Sequence, residues 1–173
     1  MHSTLTTNEA VLMKILLLKE QDPTETRIAA LPESVKKLVA LEASVQVESG
    51  FGAPLHIEDA VYAEAGAEVV SDTAAAMADA DVVLRLGKPH DPEGLKQGAI
   101  HISYLAPFVD LDTVKKFAKA GISAICMEMI PRTTIAQKMD ALSSQASLAG
   151  YSAVLQAASK LQRSLPMMMT PAG

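Results

Sequence analysis

Short apolar runs of strand length alternate along this 173-residue chain with amphipathic segments of helix length. That alternation is the pattern of βα units, so the expected fold is α/β: a mostly parallel sheet of about six strands flanked by helices. Lys14 to Lys19 (KILLLK) reads as a buried first strand. Ser44 to Glu48 (SVQVE), Glu68 to Val70, Asp81 to Leu86 (DVVLRL), Ile100 to Leu105 and Ser123 to Glu128 follow as the other five. Pro32 suits a first helical turn and opens a helix through Leu41. Further helices are expected from Ile57 to Glu64, from the acid-started Asp72-Thr-Ala-Ala-Ala-Met, and from Leu111 to Ala120. A short helical piece is expected after the turn-rich Gly87-Lys-Pro-His-Asp-Pro.

From Met139 onward the character changes to one long Ala/Ser/Leu helix without proline. Leu142, Ala146, Ala149, Ala153 and Ala157 recur at helical spacing, and Leu148, Tyr151 and Leu155 form a second apolar strip. Such a helix should be covered on more than one side, and its small residues would let a helix of the same chain or of a second copy approach closely. The expected organisation is a tail at 1–12, an α/β lobe at 13–138, a connecting helix at 139–165 and the start of a linker at 166–173.

Fifteen basic against twenty acidic residues, no Trp, three Tyr and three Phe offer neither the basic field nor the stacking platforms that nucleic acids require. The single Cys126 has no disulfide or zinc partner and fits a reducing compartment. No run of about 18 apolar residues occurs, so no direct membrane insertion is expected. The stretch from Ala10 to Leu18, broken by Lys14, is not a signal peptide.

Gly50-Phe-Gly52-Ala-Pro54-Leu55 begins like a dinucleotide fingerprint and fails it, because Leu55 stands at the third glycine position and Pro54 interrupts the helix start. The bland reading is a strand-exit turn. More informative is Ile130-Pro-Arg132-Thr-Thr-Ile-Ala-Gln137-Lys-Met-Asp140-Ala-Leu-Ser143-Ser144, which leaves the last strand and enters the long helix. Arg132, Gln137, Asp140 and Ser143 supply donors and acceptors suited to a carboxamide and a ribose. The same residues allow a purely structural role: Thr134 and Gln137 have capping-box spacing, Asp140 can cap the helix, and Arg132 can pair with Asp140.

Arg27 lies in the loop after the first strand. Arg85, inside an apolar strand, either reaches the sheet edge to pair with a carboxylate or faces the crevice to meet an anion. Lys88 suits a carboxylate-paired surface role. His101 and His90 lack ligand-spaced neighbours and read as solvent-edge histidines, so no metal site is expected. Glu128 is the one acid placed to act as a base beside the loop, although a strand-end carboxylate is more often an ion-pair partner. Met167 to Met169 read as apolar filler, and Cys126 as an inert core thiol.

Four stretches, Glu25-Thr-Arg27-Ile-Ala-Ala-Leu-Pro32, Val47-Glu-Ser-Gly50-Phe-Gly52, Ala80-Asp-Val-Val-Leu, and Pro131-Arg132 through Gln137, Asp140-Ala-Leu-Ser143-Ser144 and Ala149-Gly150-Tyr151, resemble the alanine dehydrogenase/transhydrogenase N-terminal domain family. The last is the most specific and resembles the NAD(H)-binding alpha subunit, domain I, of proton-translocating NAD(P) transhydrogenase. The resemblance implies that Arg132, Gln137, Asp140 and Ser143 contact the nicotinamide end of NAD(H), with no catalytic acid or base. It further implies NADP(H) on a partner component, a membrane-embedded component, a homodimer, and a cytoplasmic place peripheral to a bacterial inner membrane. The glycine-rich dinucleotide-binding lobe of that family would follow residue 173, so this chain alone is expected to be inactive. A later segment of the family protein also returns to complete the first lobe.

Alanine dehydrogenase uses an Arg, a Lys and a His from this lobe; Arg27 matches the first, Arg85 stands at the second and Ala106 at the third. Loss of the His argues against amino-acid dehydrogenation. Ile135 stands where the family resemblance leads one to expect a basic residue. An alanine-dehydrogenase-like lobe and a non-catalytic dimerisation module remain the alternatives.

Overall fold

The computed structural model describes residues 12–89, 92 and 94–161. His90, Met167 to Met169, the linker at 166–173 and nearly all of the tail at 1–12 lie outside the described residues. The chain divides after Cys126 into two compact units.

The first unit carries strands β1 (Lys14–Leu17), β2 (Ser44–Glu48), β3 (Glu68–Val70), β4 (Val82–Leu84), β5 (Ile100–Ser103) and β6 (Ser123–Cys126). Its helices are α1 (Pro32–Ala40), α2 (Asp59–Glu64), α3 (Thr73–Asp79) and α4 (Leu111–Ala120). The strands form one sheet in the order β3-β2-β1-β4-β5-β6, and every pair is parallel. The strand order reverses direction at β1, which pairs β2 on one side and β4 on the other, with Leu16 opposite both Gln46 and Val83. The carboxyl ends of these strands are therefore where such a sheet opens a crevice.

Strand β1 is apolar from Ile15 to Leu17 because both its faces are covered there, while Lys14 at its start is half-buried and pairs with Asp79. Ile15 and Leu17 pack with Val45, Val47, Val35 and Tyr62, while Leu16 and Leu18 pack with Val83, Ala76 and Ala80. A third cluster joins Leu105, Phe117 and Ile122 between α4 and the β5–β6 side of the sheet. Helix starts follow local chemistry. Pro32 opens α1, Asp72 caps α3 through the Ala75 N–H at 3.0 Å, and Asp110 caps α4 through the Thr113 N–H at 3.1 Å. Gly121, at φ +68°, ends α4 in the left-handed conformation.

Several expectations shift. Strands β1, β4, β5 and β6 stop two residues short of their expected carboxyl ends; Met127–Met129 forms a 3₁₀ turn, so Glu128 is half-buried in that turn and not at a strand end. Between Gly87 and Ile100 the described residues form turns and bends without the expected helical piece. His101 is 1% exposed and not a solvent-edge residue. It alternates with Ile100 and Ile102, so its ring goes to the sheet face covered by α4, 5.1 Å from the Phe117 ring. Cys126 is half-buried rather than a core thiol, because β6 is an edge strand whose other residues are exposed.

The second unit contains that turn, a 3₁₀ turn at Ala136–Met139 and helix α5 (Ala141–Lys160). The expected long helix thus starts two residues later than Met139 and is a separate element from the turn before it. The described residues bury none of α5, so the cover expected for it on more than one side is not supplied by them. Nothing in the composition of a helix says which polypeptide will cover it. Among the described residues no helix is long and apolar enough to cross a membrane.

Candidate functional site

The loop from Pro131 to Asp140 is organised by two side-chain contacts to backbone N–H groups, one of them a helix cap. Thr133 Oγ1 accepts the Ala136 N–H at 3.3 Å and starts the 3₁₀ turn, which buries Ala136 and leaves Gln137 exposed. The residue at the N-cap of this turn is Ile135, without a side-chain capping bond, so the capping box expected from the Thr134–Gln137 spacing is not formed. Asp140 then caps α5: Oδ1 accepts the Ser143 N–H at 3.0 Å and Oδ2 accepts the Ser143 hydroxyl at 2.6 Å. The same Oδ2 lies 3.7 Å from Arg132 Nε. Ser143 holds the Asp140 carboxyl below the usual carboxylate range, with the Arg132 charge adding a smaller push in the same direction.

Arg132, Asp140 and Ser143 are thereby brought into one cluster, with Gln137 on the turn between them. The Asp140 side chain is 8% exposed and that of Arg132 67%, so the carboxylate serves as a fixed anchor and the guanidinium as the accessible end. The ion pair runs through Nε, which leaves the donors of the terminal fork for a ligand oxygen. Both structural roles open to Asp140, helix cap and Arg132 partner, are realised together, and both orient Arg132.

In the first unit, the strand-end loops form a second polar region. Arg27 Nε and Nη2 donate to Glu25 at 2.8 and 2.6 Å, a two-point fork that holds the Glu25 carboxyl at about 2. These residues line a cavity of about 220 Å³ together with Lys19, Glu20 and Phe51. Arg85 lies just past β4, and its Nη2 donates to the Lys19 carbonyl oxygen. Arg85 Nε has no hydrogen-bond partner among the described residues. Burial lowers the Arg85 pKa, and the charges of Glu20 and Glu48 oppose that shift. Lys88 pairs with Asp110, the surface role expected for it.

Carboxylates that the sequence did not single out fix this edge. Glu20 accepts the N–H groups of Leu86 at 2.7 Å and Gly87 at 2.8 Å, and Glu48 accepts the Lys19 N–H at 2.8 Å. Their signal was position alone: acids at strand ends facing loop amides. Ala106 has φ +47°, and its carbonyl oxygen accepts the N–H groups of Val109 and Asp110 at 2.9 Å each. Among the described residues no group of three or more acidic, His or Cys side chains could hold a metal.

The Gly50–Leu55 turn is occupied from within. Gly50, at φ +78°, donates its N–H to Asp59 Oδ1 at 2.8 Å, and the Ser49 hydroxyl donates to Asp59 Oδ2 at 2.8 Å. An internal carboxylate therefore takes donors that a phosphate would need.

Residues 16–149 match the family model "Alanine dehydrogenase/PNT, N-terminal domain". The first of the parts into which the NAD(P) transhydrogenase alpha subunit of Rhodospirillum rubrum is divided is 42% identical over 168 residues, covering 93% of this chain and 44% of the relative. Alanine dehydrogenase 1 of Staphylococcus aureus is 28% identical over 148 residues, covering 84% of this chain and 38% of the relative. The crystal structure of transhydrogenase from Sinorhizobium meliloti superposes with a TM-score of 0.82 at 45% identity, covering 92% of this chain and 46% of that one. This chain thus spans less than half the length of these relatives. The fold, the matched residues and the transhydrogenase likeness agree: the chain belongs to the alanine dehydrogenase/PNT N-terminal domain family and is a homologue of the NAD(P) transhydrogenase alpha subunit in its first, N-terminal portion.

Proposed function

We infer that this chain supplies the nicotinamide-facing lobe of the NAD(H)-binding component of a proton-translocating transhydrogenase. The observation that carries the reading is the accessible Arg132 anchored by Asp140 and Ser143, with Gln137 exposed on the adjoining turn. An arginine fork offers donors to a carboxamide oxygen, and a glutamine amide both donates and accepts, so the residue set fits a nicotinamide carboxamide. NAD(H), when bound, supplies or accepts the hydride. Arg132 and Gln137 orient the carboxamide, while Asp140 and Ser143 hold the loop and face the ribose. Fixing the ring's angle is the kind of positioning that accelerates transfer between two bound reactants.

The remainder of the cofactor site, for adenosine and pyrophosphate, belongs to a glycine-rich lobe in the longer component. The occupied Gly50 turn supports that division. In the assembly the chain works as a homodimer beside a component carrying NADP(H) and a membrane-embedded proton channel, peripheral to the cytoplasmic side of the membrane. Alone, it is inactive. Amino-acid dehydrogenation is disfavoured because Ala106 has no proton to transfer and Glu25 already engages Arg27.

Arg132→Ala in the complete component tests the assignment. Hydride transfer should slow at least about tenfold, as expected for loss of an orienting contact, while NADH binding changes less. Equal losses in both, or no loss, contradict it.

A further inference from the structure

Arg132 and Gln137 sit on one loop, and a closed chain of contacts sets the distance between them. Thr133, directly after Arg132, accepts the Ala136 N–H through Oγ1 at 3.3 Å. Ala136 is 6% exposed, so its side chain is seated while Gln137, the next residue, projects outward. The Gln137 carbonyl oxygen accepts the Asp140 N–H at 3.3 Å, and Asp140 Oδ2 returns to Arg132 Nε at 3.7 Å. Of the side chains in this ring, that of Thr133 faces backbone and not the cofactor.

We propose that Thr133 is a positioning residue for hydride transfer: its hydroxyl oxygen holds the turn that carries Gln137 at the separation from Arg132 that one carboxamide spans. This rests on the nicotinamide reading above. A single 3₁₀ turn has poor hydrogen-bond geometry and does not persist unaided. Ile135, at its N-cap, gives it no side-chain bond, so the Thr133 oxygen is the hold at its start. Thr133 is itself fixed, because its N–H donates to the Pro131 oxygen at 2.9 Å and its β-branched side chain has few rotamers.

A carboxamide presents an oxygen acceptor and an NH₂ donor on one rigid plane. An arginine on the oxygen and a glutamine on the amide grip that plane together only at one separation. Misplacing an orienting group by about 1 Å can slow a positioned reaction by up to roughly a hundredfold.

The test uses the complete component with its NADP(H)-carrying partner. Thr133→Val keeps the side-chain shape and removes the acceptor, whereas Thr133→Ser keeps the acceptor. In the cofactor-free component, Thr133→Val should speed hydrogen exchange of the Ala136 amide about fivefold or more, and Thr133→Ser should restore the parent value. With both nucleotides bound, Thr133→Val should slow hydride transfer about tenfold at saturating NADH and change the NADH dissociation constant less than about twofold, with the parent rate recovered in Thr133→Ser. Added to Gln137→Ala, Thr133→Val should slow transfer no further, because it acts through that side chain. An unchanged Ala136 amide, a parent rate in Thr133→Val, a loss shared equally with NADH binding or with Thr133→Ser, or additive slowing with Gln137→Ala each overturns the Thr133 assignment and leaves the nicotinamide reading standing. If Gln137→Ala alone keeps the parent rate, Thr133 has nothing to position and its assignment falls; if Arg132→Ala does so as well, the nicotinamide reading falls with it.

Discussion

Asp140 grips Ser143 twice, taking its backbone N–H at 3.0 Å and its hydroxyl at 2.6 Å, and the same carboxylate faces Arg132. One side chain therefore starts a helix and aims a guanidinium. Asp140→Ala should fray about one turn of α5, roughly the first four residues, whose N–H groups lose their cap. Amide hydrogen exchange at residues 141–144 reads this directly. Asp140→Asn keeps a capping oxygen and should keep that protection, yet it removes the charge that holds Arg132.

Gly52 has no room for a side chain. A Cβ there would lie 2.5 Å from the Ile57 carbonyl oxygen, 2.8 Å from Ile57 Cβ and 2.9 Å from the Tyr62 ring. The Tyr62 ring is fixed by its hydroxyl, which donates to the Ala30 oxygen at 3.1 Å, and by edge contact with Phe51 at 5.5 Å. Gly52→Ala should destabilise the first unit by about 1–3 kcal/mol, the usual range for overpacking. A urea midpoint unchanged from the parent would show that this turn yields.

Burial of His101 lowers its pKa from 6.5 to about 4, with the Arg85 charge adding to the effect. Its ring is neutral in the folded state, so the unfolded chain takes up the proton first as pH falls. The stability that neutral His101 contributes is complete above pH 6.5 and is lost as pH drops toward 4, a span worth about 3 kcal/mol. Carboxylates such as Glu25, whose folded pKa is depressed from 4.5 to about 2, add their own loss only below about pH 4.5. Stability to urea between about pH 7.5 and 4.5 should therefore fall steeply in the parent and much less in His101→Leu. Equal slopes would contradict this assignment.

The glycine turn should ignore phosphate. Because Asp59 already accepts from Gly50 and Ser49, added pyrophosphate should leave the amide resonances of residues 49–52 in place. Movement of those resonances on titration would show that the carboxylate is displaceable.

How much of the fold is legible in the sequence depends on where each signal lives. The apolar run of β1 and the Pro32, Asp72 and Asp110 helix starts are local, and the structure places them as their residues suggest. His101 is buried against expectation, although the alternation Ile100-His101-Ile102-Ser103 is visible in the sequence. In a parallel sheet with both faces covered, a polar residue in the strand interior is buried whichever way it faces. The cover of α5 is not local at all. At the candidate site, the Asp140 cap and the Arg132 pair are legible from spacing. Thr133, Glu20, Glu48 and Asp59 are not, because their roles depend on backbone amides that only the folded chain brings near.

The most direct test of the half-site is a titration with NADH, followed by fluorescence or calorimetry, of this chain beside a polypeptide extended to the length of its transhydrogenase relatives. The extended form should bind and the 173-residue chain should not, with Arg132→Ala altering transfer more than binding in the extended form. Failure of both forms to bind would contradict the transhydrogenase reading, and tight binding by the short chain would contradict the division of the cofactor between two lobes.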